Sequence, residues 1–308
     1  MLEVDSLTAR YKTVRGNVHA VEDVSFLLKM GQSMGIAGES ACGKSTLGLA
    51  IIRMLQGGRV VSGRVILDGE DLLSMSEEEF DGKVRWKRIS MIFQGAMNSL
   101  DPVFTVREQF AEILKQHNFA GDQKAAVSDA IRSVGLGDDV LKRYPHELSG
   151  GMKQRVVIAM GLVLEPKLVI ADEPTTALDV LIQAQVINFF KQLKKDGMSI
   201  VLITHDLALL SEIADVIGIM YGGQMVEFGS AREIYKNPRH PYTQGLLASI
   251  PRLRGERPTY IHGSPPDLVE PAKQCLFYDR CPHAMDKCKT EPPRFDTESG
   301  YVKCWLYE

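Results

Sequence analysis

The feature that most constrains this chain is a glycine-bounded loop between a short apolar run and a helical pattern. The run SMGIA at residues 33–37 is followed by GESACGKST at residues 38–46. This loop fits G-x-x-x-x-G-K-[ST], whose backbone N–H groups turn inward around phosphate oxygens at the positive end of a helix. The loop predicts a nucleotide site in which Lys44 neutralises the β- and γ-phosphates and the Ser45 hydroxyl ligates Mg²⁺. The predicted nucleotide-binding residues of the loop are Gly38, Glu39, Ser40, Ala41, Cys42, Gly43, Lys44, Ser45 and Thr46.

Strands that alternate with helices predict the fold class. The first 35 residues alternate apolar and polar positions, and buried strands are predicted at SMGIA, RISMIFQ, KLVIADEP and SIVLITHD. A helical block from Thr105 to Leu164 interrupts this alternation and indicates an inserted subdomain at about residues 97–164. We therefore predict an α/β P-loop NTPase core with a mostly parallel sheet covered on both faces. The core is expected to carry an N-terminal antiparallel β subdomain, the inserted helical subdomain and a small cysteine-rich C-terminal extension.

The composition and charge of the chain exclude some classes of function. With 308 residues and 44% hydrophobic content, the chain can fill a substantial core. A net charge of -3 offers neither a footprint for nucleic acid nor a polybasic membrane anchor. The longest mostly apolar run, Val156 to Leu164, is too short to span a bilayer, and the N-terminus lacks the apolar segment of a signal peptide. We expect a cytosolic chain that reaches a membrane only through a partner.

A second motif supplies the acidic residues that phosphoryl chemistry needs. LVIADEP contains a buried apolar strand that ends in Asp172 and Glu173, and α/β sheets bind ligands at the carboxyl ends of their strands. Asp172 is predicted to hold Mg²⁺ through water, and Glu173 is the candidate base that polarises the attacking water. Alone, an Asp-Glu pair could end an ordinary strand. The phosphate loop earlier in the chain favours the catalytic interpretation.

A third motif indicates a protein family. LSGGMKQR at residues 148–155 places a serine, a natural N-cap, and two glycines before a helix, which forms another N-terminus that can face an anion. In this order, the three motifs resemble the ABC ATPases over residues 1 to about 235. The resemblance implies that Ser149, Gly150 and Gly151 of one protomer close on ATP held by another, with two cassettes packed head to tail. ATP binding would order that interface and hydrolysis would release it.

The resemblance also implies roles for single residues. Tyr11 is the aromatic residue expected to stack on adenine, although an exposed strand tyrosine is the alternative. Gln94 in MIFQGAMNSLDP resembles the glutamine that senses Mg²⁺ and contacts the membrane subunit, and ALD at Ala177–Asp179 resembles the D-loop. His205 in LITHD resembles the switch histidine that contacts the γ-phosphate. The resemblance implies four catalytic residues: Lys44, Gln94, Glu173 and His205. It implies that Mg²⁺ is held by Ser45, Gln94 and Asp172. It also adds Asp179 to the nucleotide-binding residues.

The tail of the chain narrows the resemblance further. NPRHPYTQGLLASIP, GSPPDL, CLFYDRCPHAMDKC and YVKC resemble the C-terminal region of dipeptide and oligopeptide importer ATPases, especially the D-type subunit. We expect a nucleotide-binding domain at 1–236 and this C-terminal region at 237–308, with one short helix around Tyr242–Ile250. The resemblance implies a peripheral ATPase on the cytoplasmic face of the membrane. Its implied partners are an F-type ATPase in a heterodimer (a homodimer is possible in vitro), two permease subunits and an extracytoplasmic peptide-binding protein, without nucleic acid.

Three alternatives to peptide import stay open at this point. The same machinery could import another solute, such as nickel or an oligosaccharide. A soluble ABC protein acting on nucleic acid or ribosomes usually has two cassettes in one chain and often a basic face, whereas this chain has one cassette and is slightly acidic. An exporter ATPase is disfavoured by the tail.

Four of the five cysteines lie close together in the sequence. Cys42 lies in the phosphate loop, where a small space-filling role is expected, and the others have the spacing C-x5-C-x6-C-x15-C. Clustered thiols in a reducing cytosol indicate a metal or cluster site, but this spacing matches neither common zinc pattern. The family resemblance favours a [4Fe–4S] cluster, with zinc or no metal as alternatives. The expected ligands are Cys275, Cys281, Cys288 and Cys304; His283 is a less favoured substitute ligand.

Overall fold

The computed structural model describes residues 1–176, 178–251 and 258–308, which divide into two compact units. Unit 1 comprises Met1–Ser74 and Leu202–Glu308, and unit 2 comprises Met75–Val201. The C-terminal extension therefore belongs to the same compact unit as the N-terminus and the phosphate loop.

The strands and helices alternate along the chain. The strands are β1 (Leu2–Thr13), β2 (Gly16–Leu28), β3 (Ser33–Ala37), β4 (Gly58–Leu67), β5 (Glu70–Asp71), β6 (Ile89–Ile92), β7 (Leu168–Asp172), β8 (Ser199–Ile203), β9 (Val216–Tyr221), β10 (Gln224–Ser230), β11 (Phe295–Asp296) and β12 (Tyr301–Val302). The α-helices are α1 (Lys44–Ile51), α2 (Glu77–Lys83), α3 (Val106–Gln116), α4 (Gln123–Ser133), α5 (Gly150–Leu162), α6 (Val180–Lys195), α7 (Leu207–Ile213), α8 (Ala231–Lys236) and α9 (Pro241–Ala248). Short 3₁₀ helices lie at Ala96–Ser99, Asp138–Lys142, Pro145–Glu147, Tyr278–Arg280, Asp286–Lys289 and Trp305–Tyr307.

Unit 1 begins with an antiparallel sheet of order β2-β1-β4-β5, which confirms the predicted N-terminal β subdomain. The register places Leu2 opposite both Leu28 and Leu67, and all three side chains are buried. Apolar residues at matched positions of the strands give this sheet one buried face, which also explains the alternating pattern in the sequence.

A second sheet of unit 1 carries the phosphate loop. Within the unit its strands follow the order β11-β12-β10-β9-β3, with β3 parallel to β9 and antiparallel pairing among the other strands. All five residues of β3 are buried, as expected for a short apolar run in the interior of a sheet. The phosphate loop therefore follows a strand whose residues are all buried.

The C-terminal extension is built into unit 1 more fully than the sequence predicted. The expected short helix is present as α9, but Tyr301 and Val302 of β12 also pair with Phe228 and Glu227 of β10. A further segment lies along β2, where the His19 N–H donates to the Leu268 carbonyl at 2.8 Å. The tail lacks regular periodicity because it packs as short pieces against strands of the cassette.

Unit 2 contains the predicted helical block as α3, α4 and α5. Helix α3 begins with a capping box in which Thr105 and Glu108 exchange hydrogen bonds, and it buries Val106, Phe110 and Leu114 along one face. Strands β6 and β7 of this unit pair in parallel. Within the three described ranges, no helix is both long and apolar enough to cross a membrane.

Candidate functional site

The phosphate loop of unit 1 has the shape of a cradle that only glycine permits. Gly38 has φ +154° and Gly43 has φ +101°. A Cβ at Gly38 would lie 2.2 Å from the Met220 carbonyl oxygen, and one at Gly43 would lie 2.0 Å from the Ala20 carbonyl oxygen. Both ends of the loop therefore approach neighbouring backbone too closely for any side chain. This close approach, directly after β3, fits a backbone that wraps around phosphate oxygens.

Lys44 lies inside this loop with its ammonium group held by loop atoms. Its Nζ donates to the Gly38 and Glu39 carbonyl oxygens at 2.8 and 2.9 Å, and the residue is only 7% exposed. Helix α1 starts at Lys44, and its N-cap residue, Gly43, makes no side-chain capping bond. The first-turn N–H groups and a buried ammonium thus combine at one helix N-terminus, which is the chemistry that a nucleotide phosphate requires.

The predicted adenine-stacking residue lies beside the loop. Tyr11 is half-buried on β1, its ring lies against the backbone of Gly58 on β4, and its hydroxyl is 3.5 Å from the Thr46 hydroxyl. An aromatic ring this near the end of the phosphate loop can stack on a base whose phosphates occupy the loop.

Cys42 and His205 complete the predicted residues of unit 1. Cys42 is buried beneath the loop, and burial raises the pKa of its thiol, which fits the expected space-filling role. His205 is exposed in the turn between β8 and α7. The preceding residue, Thr204, donates its N–H to the Ile36 carbonyl of β3 at 3.1 Å. His205 therefore follows a segment that lies alongside β3, the strand that feeds the phosphate loop.

Unit 2 holds the acidic pair at the end of β7. Asp172 is the last residue of that fully buried strand and is itself 3% exposed. Glu173 follows with φ +49° and accepts a hydrogen bond from the Thr176 hydroxyl at 2.8 Å. The left-handed backbone at Glu173 turns the chain sharply, so its carboxylate leaves the strand end in a set direction.

Gln94 is on the same edge of unit 2 as this acidic pair. Strand β6 runs parallel to β7 with Ile92 opposite Ala171. Gln94 follows β6 by two residues and is exposed. Two parallel strands therefore deliver an amide and two carboxylates to one sheet edge. Such oxygen atoms are ligands that Mg²⁺ prefers.

The predicted signature and D-loop residues start helices α5 and α6 of unit 2. Ser149 caps α5 by accepting the Met152 N–H at 3.3 Å, and Gly150 and Gly151 form the first turn. Asp179 caps α6 by accepting the Ile182 N–H at 3.0 Å. Ala177, the first residue of the predicted D-loop, lies outside the described residues. The α5 terminus has no acidic residue in its first turn, so no like charge of its own would repel an anion there.

The four clustered cysteines are free thiols in unit 1. Cys288 and Cys304 are buried, and Cys275 and Cys281 are half-buried. Burial raises the pKa of Cys275 to about 12, and the charges of Cys288, Cys304 and Cys281 contribute in the same direction. In the described part of the chain, however, no group of three or more His, Cys, Asp or Glu side chains is placed to hold a metal ion. The predicted [4Fe–4S] site is therefore not supported by this arrangement.

Sequence reasoning missed two residues of the extension that contact the phosphate loop, Arg280 and Tyr242, and one residue of β9 that packs against them, Tyr221. Arg280 forms an ion pair with Glu39 of the loop, Tyr242 accepts the Glu39 N–H, and Tyr221 packs against Tyr242. The sequence carries no local sign of these contacts, because Arg280 and Glu39 are 241 positions apart.

Two family profiles and several proteins of known function match the sequence of this chain. A family profile described as "ABC transporter" matches residues 21–176, and one described as "Oligopeptide/dipeptide transporter, C-terminal region" matches residues 226–288. The chain is 43% identical to the dipeptide transport ATP-binding protein DppD of Bacillus subtilis, covering 100% of this chain and 95% of that protein. It is 42% identical to the oligopeptide transport ATP-binding protein OppD of Escherichia coli, covering 98% and 92%.

A solved structure shares the cassette fold. A dimeric post-hydrolysis state of the ATP-binding cassette MJ0796, bound to ADP and Pi, superposes with a TM-score of 0.67 at 26% identity. The match covers 75% of this chain and 99% of that one. The predicted α/β cassette fold is confirmed by this match. The chain therefore belongs to the ABC transporter family, as an ATP-binding subunit of its dipeptide and oligopeptide importer group.

Proposed function

We propose that this chain is the ATP-hydrolysing subunit of an ABC importer that takes up dipeptides or oligopeptides across the cytoplasmic membrane. The observation that carries the proposal is the cradle formed by Gly38, Gly43 and the buried Lys44, in a chain whose relatives are peptide-transport ATP-binding proteins along nearly its whole length. The chain uses ATP and Mg²⁺, and ATP hydrolysis is coupled to transport. The relatives are dipeptide and oligopeptide transport proteins, which favours peptides over nickel or an oligosaccharide as the solute.

The proposed roles at the phosphates follow from the chemistry of each side chain. Lys44 and the first-turn N–H groups of α1 stabilise negative charge on the phosphates. Bound Mg²⁺ would supply further charge neutralisation at the same oxygens, and the residues that would hold it are Ser45, Gln94 and Asp172. Glu173 orients the attacking water and accepts its proton, while His205 contacts the γ-phosphate.

The remaining roles concern the base and the partner cassette. Tyr11 stacks on adenine. Ser149, Gly150 and Gly151 contact ATP bound to a second ATPase subunit, and Asp179 belongs to the loop that accompanies them. We further propose a domain boundary at residue 236, an F-type partner ATPase, two permease subunits and an extracytoplasmic binding protein, with the chain on the cytoplasmic face of the membrane. The resemblance to heteromeric peptide importers supports this assembly.

The test of the ATPase proposal is the variant Glu173→Gln. It keeps the size of the side chain but removes the base, so ATP should bind normally while the hydrolysis rate falls by about 10²-fold or more. Phosphate release and ATP binding are measured on the same preparation of the full chain with Mg²⁺ and its partner ATPase. Glu112→Gln, on the exposed face of α3, is the matched control and should hydrolyse ATP as the unaltered chain does. Near-normal hydrolysis by Glu173→Gln refutes the base assignment.

We separately propose that Cys275, Cys281, Cys288 and Cys304 bind a [4Fe–4S] cluster, with zinc as the alternative metal. The sequence spacing and the family resemblance support this proposal, whereas the placement of the four thiols among the described residues does not. Anaerobic purification should then yield a brown protein with iron and sulfide. Cys288→Ser should lose the metal, while Cys42→Ser, in the phosphate loop, should retain it. A colourless protein with stoichiometric zinc, or one without metal, overturns the cluster.

A further inference from the structure

The second residue of the phosphate loop, Glu39, is held by three separate partners within unit 1. Its N–H donates to the Tyr242 hydroxyl at 2.8 Å, and its carbonyl accepts from Lys44 Nζ at 2.9 Å. Its carboxylate is bound by both terminal nitrogens of Arg280, with Nη1–Oε2 at 2.6 Å and Nη2–Oε1 at 2.9 Å. The extension, which contributes Tyr242 and Arg280, therefore fixes both the backbone and the side chain of this loop residue.

Arg280 is itself held by several contacts within unit 1. Its side chain is 4% exposed, compared with 27% for Glu39. The guanidinium also donates to the His262 carbonyl at 3.0 Å and to the Tyr221 hydroxyl at 3.2 Å. Its carbon atom Cζ lies 5.9 Å from the ring centroid of Phe277. A planar guanidinium held in this way presents a rigid two-pronged donor to a carboxylate, which lysine could not match geometrically.

The charge of Glu39 matters because of where the residue lies. A nucleoside triphosphate brings several negative charges into the loop, and an unpaired carboxylate in the same loop would repel them. Arg280 cancels that charge. Because the pair is mostly withdrawn from water, removing the arginine would leave a poorly solvated carboxylate beside the phosphates. The expected consequence is electrostatic and should grow with the charge of the nucleotide.

From these contacts we infer that Arg280 is a positioning residue for nucleotide binding, which neutralises and anchors Glu39 so that the loop can accept a triphosphate. Through the contact between Arg280 and Glu39, the C-terminal extension increases the affinity of the cassette for ATP. The inference rests on the function proposed above. It assigns to the extension a part in the nucleotide site that is separate from any metal at the cysteines.

The test is a double-variant cycle on the full chain. Binding of the non-hydrolysable analogue AMP-PNP and of ADP, each with Mg²⁺, is measured calorimetrically for Arg280→Gln, Glu39→Gln and the double variant. Arg280→Gln should weaken AMP-PNP binding about tenfold and ADP binding less, because the repulsion scales with nucleotide charge. Glu39→Gln alone removes the carboxylate but keeps the Arg280 charge, so AMP-PNP binding should become tighter rather than weaker. The double variant should recover most of the loss, and high salt should reduce the defect of Arg280→Gln.

Two further variants test the role of the Arg280 charge and provide a control. Arg280→Lys retains the charge without the fork and should bind AMP-PNP more tightly than Arg280→Gln. Arg15→Gln breaks an exposed ion pair with Asp267 in the same unit and should bind as the unaltered chain does. A double variant as weak as Arg280→Gln would show that Arg280 acts only through packing and would overturn the inference, as would unaltered affinity in Arg280→Gln. If the unaltered chain itself does not bind AMP-PNP, the proposed function fails instead.

Discussion

At the scale of single residues, two turns of the candidate site contain non-glycine residues with a left-handed backbone. Ala41 in the phosphate loop has φ +63°, and Glu173 after β7 has φ +49°. Such a conformation costs roughly 1–2 kcal/mol for a residue with a Cβ. At Glu173 the strain accompanies a carboxylate with a proposed catalytic role, whereas at Ala41 the methyl group is exposed and has no such role.

Replacing Ala41 by glycine should therefore stabilise the protein. Ala41→Gly removes the left-handed penalty, which is partly offset by the larger conformational entropy of the unfolded chain, for a net gain of about 0.5–1 kcal/mol. Urea denaturation measures the free energy of unfolding. The same substitution at Ala125, an exposed position in the first turn of α4, should lower stability because glycine is a poor helix former. A loss of stability in both variants would contradict the strain at Ala41.

Lys44 should carry much of the nucleotide affinity. Lys44→Ala removes the buried ammonium that lies within the loop, so binding of ATP with Mg²⁺ should weaken by about 10²-fold or more. Lys124→Ala, on the exposed surface of α4, serves as the control because it removes an equal charge far from the loop in sequence. Equilibrium binding of a fluorescent ATP analogue measures both. Equal affinity in the two variants would remove the phosphate-loop interpretation.

At the scale of elements, helix α9 is held by a buried polar arrangement. The His240 ring accepts the Tyr242 N–H at 3.0 Å and thereby caps the helix, and it packs 5.8 Å from the Phe277 ring. The Glu227 carboxylate of β10 accepts the N–H groups of Arg239 and His240 at 2.7 and 3.0 Å. Burial lowers the pKa of His240 to about 3 and raises the pKa of Glu227. Neutral His240 is thus part of how the extension attaches to the cassette.

Acid should weaken this attachment. Because the folded-state pKa of His240 lies below the unfolded value of about 6.5, its contribution is complete above that pH and is lost as pH falls towards 3. At pH 5 the loss is about 2 kcal/mol. His240→Asn keeps a capping oxygen but cannot titrate, so its free energy of unfolding should fall less between pH 7.5 and 5. The Glu227 carboxyl is present in both proteins, so its contribution cancels when their losses of unfolding free energy are compared. As a control, His146→Asn changes an exposed histidine and should lose as much unfolding free energy between pH 7.5 and 5 as the unaltered chain does. If His240→Asn loses that same amount, the prediction is wrong.

At the scale of the whole molecule, the extension and the cassette share one core within unit 1. Tyr301 of β12 is 2% exposed, packs 5.9 Å from the Phe228 ring of β10, and donates its hydroxyl to the Ser25 carbonyl of β2 at 2.9 Å. One side chain near the C-terminus therefore touches both sheets of the unit. A segment with such contacts contributes to folding and is more than a tail attached after the nucleotide-binding domain.

Truncating Tyr301 should accordingly destabilise the fold. Tyr301→Ala should cost about 3–5 kcal/mol through the cavity it leaves, whereas Tyr301→Phe should cost about 1–2 kcal/mol through the lost hydrogen bond. Chemical denaturation followed by tryptophan fluorescence measures both, since Trp305 lies four residues beyond. Tyr260→Ala, at an exposed position of the extension, is the control and should change stability by less than about 0.5 kcal/mol. Comparable small effects at Tyr301 and Tyr260 would mean that the extension is only loosely attached.

Several elements had too weak a signal to be predicted. Helices α2, α7 and α8 have six or seven residues each, which is too short for helical periodicity to stand out. Strands β11 and β12 have two residues each and exist because β10 offers an edge for pairing. By contrast, α3 and α5 lie in the predicted helical block because they carry capping residues and buried apolar positions along three or more turns.

The amino-acid sequence by itself determined the nucleotide machinery: the phosphate loop, the acidic end of β7, the capped start of α5 and the family to which they belong. Each of these is encoded within fewer than fifteen neighbouring residues, because the backbone geometry they need depends on local glycine, capping and apolar patterns. Only the tertiary structure decided that Arg280 binds Glu39 and that β12 extends the sheet. Those contacts join positions that are distant in the chain, so they arise from packing and leave no local pattern in the sequence.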